Sequence, residues 1–292
     1  MATRLGLWTT IALLAANHTT AQAQQLQGPP QGPDQPVYRR VPTVQQRPAP
    51  PPATMAPFRL TPREEAYLDQ VLIAWQRRSE QVKTFESDFT RWEYDPVFGD
   101  AEKPKYRDDG KLKYAAPDRG MFKVEGDRAE HWISDGKSIF QYNFAKKQLI
   151  EHKLPAHLQG KAIANSPLPF LFGARAADLK RRYWMRIVTP ANVKNQIWLE
   201  AYPRFREDAA NFHRAELILK AAEMTPHALQ IHLPNGKNRT VYQFYNIAIN
   251  DPLKKFFRIN PFHASTPLGW QKIVEKQPRS AQALRPPEAE MR

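Results

Sequence analysis

The sequence predicts an α+β domain: a strongly curved antiparallel sheet, an incomplete β-barrel, with helices on one face. Three observations carry this expectation. A capped amphipathic helix opens the domain, and short runs of alternating apolar and polar residues follow it, divided by turn dipeptides. A second helical stretch then interrupts the strands before more of them resume. No internal repeat is visible in the 292 residues.

Ahead of the domain, Arg4, the apolar run LGLWTTIALLAA and the small residues Ala21-Gln22-Ala23 have the order of a secretory signal peptide. Residues 1–23 are therefore expected to be removed between Ala23 and Gln24, and the apolar run is too short for a membrane span. Residues 24–57 take a large share of the 27 prolines and are expected to form an extended Pro/Gln-rich linker.

The folded domain is expected over 58–274. Thr61 as N-cap, Pro62 at the first helical position and Glu64 three residues after the cap form a capping-box signature. Tyr67, Leu68, Val71, Leu72 and Trp75 then recur at helical spacing. The period changes at TFESDFTRWEYD, where Phe85 and Phe89 alternate against Trp92 and Tyr94. GKLKYAAPDRGMFKVEG gives Leu112 and Tyr114, a break at Pro117, then Phe122 and Val124, and KQLIEHKL extends the meander. NSPLPFLFG reads as an apolar plug and ARAADLKRRYW as helix. Strands resume in NQIWLEAYP, HRAELILK and, around an Asn235-Gly236 turn, HALQIHLPNGKNRTVYQFYNIAIND. A polar tail over 275–292 is expected to be disordered.

Residues 131–143, HWISDGKSIFQYN, raise a question of packing. With Asp135-Gly136 as a two-residue loop, Ser134 pairs with Lys137, Ile133 with Ser138, Trp132 with Ile139 and His131 with Phe140. One face then carries Ile133, Phe140 and Tyr142, and the other carries Trp132 and Ile139. A half-exposed sheet needs only one apolar face, so something must cover the second.

Composition excludes several classes of chemistry. There is no cysteine, hence no disulfide, no thiolate metal site and no lipidated N-terminal cysteine. The 43 Lys plus Arg against 29 Asp plus Glu give a formal charge of +14, which attracts polyanions. With an export signal, that favours an anionic membrane surface or acidic polymer over nucleic acid. No nucleophile elbow, metalloprotease helix or P-loop motif is present. His227 and His232 fall on opposite sides of one strand and cannot share a metal. Asp108-Asp109 reads as a turn and Glu64-Glu65 as a helix start. The expectation is a non-enzyme with neither cofactor nor metal.

In order, KTFESDFTR, GKLKYAAPDRGMFKV, WISDGKSIFQYN, SPLPFLFG with DLKRRY, IWLEAYP and FFRINP resemble the LolA/LolB-like family over about residues 62–262. That family includes the periplasmic carrier of outer-membrane lipoproteins. The resemblance implies an incomplete barrel around an apolar concavity, with helices over the concave face as a lid and acyl chains entering between them. It implies Phe85, Phe89, Leu112, Phe122, Ile133, Phe140, Tyr142, Leu171 and Phe172 as lining. Trp132 and Ile139 would then lie outside, shielded by the linker or the C-terminal tail.

One position departs from the family. Its carriers commonly have arginine directly before the proline of the second strand, where this chain has Ala116 before Pro117. Arg119, just beyond, is expected to point elsewhere. The departure bears on the carrier role and leaves the fold untouched. The function implied is an exported monomeric carrier of lipid or lipoprotein acyl chains. The alternative is an envelope regulatory or scaffold module that uses the same fold to bind a protein partner or an anionic cell-surface polymer.

Overall fold

The computed structural model describes residues 55–156, 159, 171, 175–252 and 260–275. The expected leader and linker up to residue 54, Phe172 and the chain beyond residue 275 lie outside the described residues. Helix α1 (Pro62–Glu80) leads into β1 (Thr84–Tyr94), β2 (Tyr106–Ala115), β3 (Arg119–Val124), β4 (Glu130–Ser134), β5 (Ser138–Asn143) and β6 (Gln148–Lys153). Then come α2 (Ala176–Arg182), β7 (Tyr183–Ile187), β8 (Gln196–Pro203), the short α3 (Arg206–Ala209), β9 (Arg214–Lys220), β10 (Thr225–His232), β11 (Arg239–Ile249) and β12 (Gln271–Glu275).

All twelve described strands join one curved sheet in the order β12-β6-β5-β4-β3-β2-β1-β11-β10-β9-β8-β7. Its edges, β12 and β7, do not pair, so the sheet stays open. Ten of the contacts between neighbouring strands are antiparallel, nine between consecutive strands, as the turn chemistry predicts, and one between β1 and β11; in the eleventh β12 runs parallel to β6. A chain that returns from a distant part of the sequence is free of the hairpin constraint.

Helix α1 starts as its sequence dictates. The Thr61 hydroxyl accepts from the Glu64 amide at 3.3 Å, and the Glu64 carboxylate accepts from the Thr61 amide at 2.7 Å. Leu68, Val71, Leu72 and Trp75 are buried and Tyr67 is half exposed. The stripe packs by way of β7 and α2 into the larger apolar cluster on one face of the sheet. Burying each such side chain contributes roughly 1.5–3 kcal/mol.

Three local expectations change. Helix α2 ends at Arg182 instead of running on to Trp184, because Tyr183 and Met185 alternate inward as strand residues and are buried. Asp108 and Asp109 stand within β2, paired with Arg91 and Thr90 of β1. In the β4–β5 hairpin, Ser134 pairs with Ile139 and Ile133 with Phe140, a shift of two residues from the two-residue loop. The Asp135 carboxylate takes the amides of Lys137 and Ser138 at 2.8 and 2.7 Å, which closes a longer turn. A shift of two preserves the faces.

The faces themselves are exchanged relative to the expectation. Trp132 and Ile139 join Phe85, Phe89, Leu112 and Phe122 in the larger cluster. Ile133 and Phe140, with Tyr142 at the margin, belong to a second cluster on the opposite face, with Ala115, Met121, Leu149 and Phe262. Among the described residues, what covers that face is the stretch 260–270, ahead of β12. Phe262 lies beneath Arg119 (5.4 Å to the ring), and the Tyr142 hydroxyl donates to the Ser265 carbonyl at 3.0 Å. Trp270 packs edge-on against Tyr142 and Phe144.

Candidate functional site

Alternation along β1 aims Phe85, Phe89 and Arg91 at the same face. Phe89 is fully buried at the centre of that face. Its ring stacks on Phe122 of β3 at 5.0 Å, meets Tyr242 and Phe244 of β11 edge-on, and lies over Gly110 of β2, where a side chain would strike it.

Toward one end of this face a crevice opens between α1 and the sheet. Trp75, Arg78 and Ser79 of α1, Val82, Phe85, Leu171, Met224, Thr225, Pro226 and Ile249 line it. Its free volume is about 10 Å³, room for about one water molecule. An acyl chain entering here must therefore displace α1 or the side chains around Leu171.

The opposite end of the face is polar. Arg91, whose side chain is 3% exposed, donates to Asp108 at 2.9 Å and to Glu130 at 2.8 Å. Arg128 donates to Glu93 at 2.9 Å and also to Asp108, and its guanidinium lies 3.9 Å from the Tyr106 ring centre. Burial would lower the pKa of Arg91, but Tyr242 and Glu130 oppose it and hold the guanidinium above its ordinary value. Burial likewise pushes Asp108 up, and hydrogen bonds from Arg128 and Arg91 outweigh it, so the carboxyl sits below the usual range. The network stays ionised and closes this end with charge.

Of the residues expected to line the concavity, Phe85, Phe89, Leu112, Phe122 and Leu171 come together in the larger cluster. Ile133, Phe140 and Tyr142 do not join them, and Phe172 lies outside the described residues. Arg119 opens β3 and reaches the Phe262 face, away from the crevice. The charged network went unrecognised in the sequence, although the period of two that places Phe85 and Phe89 together also places Arg91 with them. Among the described residues no group of three His, Asp or Glu could hold a metal ion, and no helix is long and apolar enough to cross a membrane.

No curated protein sequence matches the chain. Among solved structures it is similar to an uncharacterized conserved protein from Thermus thermophilus, at 9% identity over 70% of this chain and 98% of that one, with a TM-score of 0.42. It is also similar to the Mycobacterium tuberculosis lipoprotein LppX, at 9% identity over 63% of this chain and 97% of that one, with a TM-score of 0.35. A third likeness is to the Pseudomonas aeruginosa MucA/MucB complex, at 14% identity over 63% of this chain and 58% of that one, also with a TM-score of 0.35. The family described as outer membrane lipoprotein carrier protein LolA matches residues 80–260, more than half of the sequence. The chain belongs to the LolA family.

Proposed function

We propose that this protein is an exported carrier of hydrophobic ligands, lipoprotein acyl chains or other lipids. On this reading the face bearing Phe85, Phe89, Leu112 and Phe122 is the concave one, α1 is its lid, and the crevice beside Leu171 is the entrance. The observation that carries the reading is the crevice itself: apolar on most of its wall, rimmed by Arg78, and continuous with an apolar cluster closed at the far end by charge. An acyl chain gains about 0.8 kcal/mol per CH₂ buried, a gain that offsets the cost of displacing α1 from the closed crevice without requiring specific polar contacts.

The absence of cysteine permits a direct test. Ser79 on α1 and Thr225 on β10 line the crevice from its two sides. In a Ser79→Cys/Thr225→Cys variant, a fluorescent acyl probe should enter when the thiols are reduced and be excluded once mass spectrometry shows the disulfide formed. Lipid extracted from the purified native protein should be detectable by mass spectrometry. A protein that carries no lipid and takes up no probe in either redox state ends the carrier reading.

The tightness of the crevice favours a second reading, a scaffold module whose closed interior only supports a partner-binding exterior. Affinity capture from the cell envelope separates the two: a carrier recovers lipoproteins broadly, and a scaffold recovers one defined protein.

A further inference from the structure

Several of the largest exposed apolar side chains sit on turns at the end of the sheet where β5 leads into β6, and two of these turns are fastened together. In the β5–β6 turn, Phe144 is 43% exposed beside exposed Ala145, Lys146 and Lys147. That turn is braced: the Asn143 side chain accepts from the Lys146 amide at 3.0 Å, and the Phe144 carbonyl accepts from the Lys147 amide at 3.3 Å. In the turn 267–270, which leads into β12, Leu268 stands fully exposed at 103%. There the Pro267 carbonyl accepts from the Trp270 amide at 3.0 Å and Gly269 takes a φ of +75°, open to glycine without strain. The Gln271 amide donates to the Lys147 carbonyl at 3.0 Å, and Trp270 meets Phe144 edge-on at 5.4 Å.

The result is a preformed point: one aliphatic and one aromatic tip, an interfacial tryptophan behind them and a lysine pair alongside. Neither turn contains a carboxylate. Among the described residues nothing in the packing requires Leu268 to be leucine, since its side chain is fully exposed. The β1–β2 turn supplies a contrast. Phe98 is 81% exposed there, but it lies among Asp95, Asp100 and Glu102, and Asp95 holds Lys105 at 2.8 Å.

We propose that the joined turns around Phe144 and Leu268, with Lys146 and Lys147, form a docking surface for an anionic lipid membrane. The apolar tips enter the boundary between headgroups and acyl chains, Trp270 settles at headgroup level, and the lysines meet the negative surface potential. Complementary charge selects this occupant, because the lysine pair stands beside the tips without a counter-charge in either turn. The proposal does not rest on the carrier reading, since the turns lie away from the crevice lining.

The test is co-sedimentation of the purified protein with phosphatidylcholine vesicles, with and without phosphatidylglycerol, at low and high salt. Native protein should bind the anionic vesicles at low salt and release them at high salt. Leu268→Asp and Lys146→Glu/Lys147→Glu should each lose about fivefold or more in partitioning while keeping the native melting temperature. Phe98→Asp should bind as native protein does. Native protein that ignores anionic vesicles, that binds neutral ones equally well, or whose binding survives Leu268→Asp overturns the proposal. An equal loss in Phe98→Asp overturns the assignment to these turns. A concentration-dependent dimer abolished by Leu268→Asp would give the surface to a second copy of the chain instead.

Discussion

Gly110 fixes where Phe89 can lie, and replacing it measures how tightly the centre of the first face is packed. The residue pairs with Phe89 on one side and Val124 on the other. A Cβ built on it would fall well inside contact distance of the Lys123 carbonyl oxygen and of Phe89 Cζ, and 2.8 Å from Phe89 Cε2. The ring can turn away; the carbonyl is backbone of a central strand and cannot. Overpacking typically costs about 1–3 kcal/mol, and a clash with immovable backbone puts Gly110→Ala near the upper end, about 3 kcal/mol. For a domain of this size that lowers the melting temperature by about 6–12 °C, read by circular dichroism or calorimetry. Phe89→Leu in the same background should recover about 1 kcal/mol of the loss, since it removes the atoms that meet the new methyl group. It should not recover all of it, because the carbonyl remains. A melting temperature within about 2 °C of native, or strictly additive single and double variants, would refute this account of the packing.

Further outcomes follow from the charged and aromatic groups. Burial, and after it nearby Lys123, pushes the His131 imidazole down to about 4. The folded pKa lies below the unfolded value, so this contribution to stability is complete above about pH 6.5 and is lost as pH falls toward 4; after allowance for partial solvation it amounts to about 2 kcal/mol. Denaturant midpoints of His131→Gln should therefore fall less than those of native protein between these pH values, and parallel curves would count against the reasoning. Asp108→Asn should destabilise by about 3 kcal/mol in chemical denaturation, because Arg91 and Arg128 lose a shared buried carboxylate while Glu130 and Glu93 remain. Asp69→Asn removes an exposed partner of Lys180 and should cost under about 1 kcal/mol, an internal comparison for the same assay. Phe262→Ala should cost about 3 kcal/mol and raise binding of a hydrophobic dye, through the exposed second cluster.

The sequence made legible whatever is decided within about ten residues. The Thr61–Glu64 capping box, the α1 stripe, the alternation of Phe85 and Phe89 and most of the hairpins are of this kind, because each rests on local spacing and turn chemistry. The two-residue slip at Asp135 marks the limit: the dipeptide announces a turn, but the reach of its own carboxylate sets the length. Which face of β4 and β5 turns toward α1 was beyond local reading, since Trp132 with Ile139 and Ile133 with Phe140 are equally apolar. The face away from α1 is packed by Phe262, more than a hundred residues away. The charged network had a local trace in the position of Arg91, but Asp108 was hidden by its neighbour, since an Asp-Asp dipeptide looks like a turn wherever it stands.

The cover over the second face also dictates an order of events. During synthesis Ile133, Phe140 and Leu149 are made long before Phe262 and Trp270, so the growing chain holds a wet greasy surface until that later segment arrives. Completion of the fold on this face thus waits for the segment that carries Phe262. A product cut short anywhere ahead of Phe262 advertises its own incompleteness to whatever protease or chaperone recognises bare apolar strands.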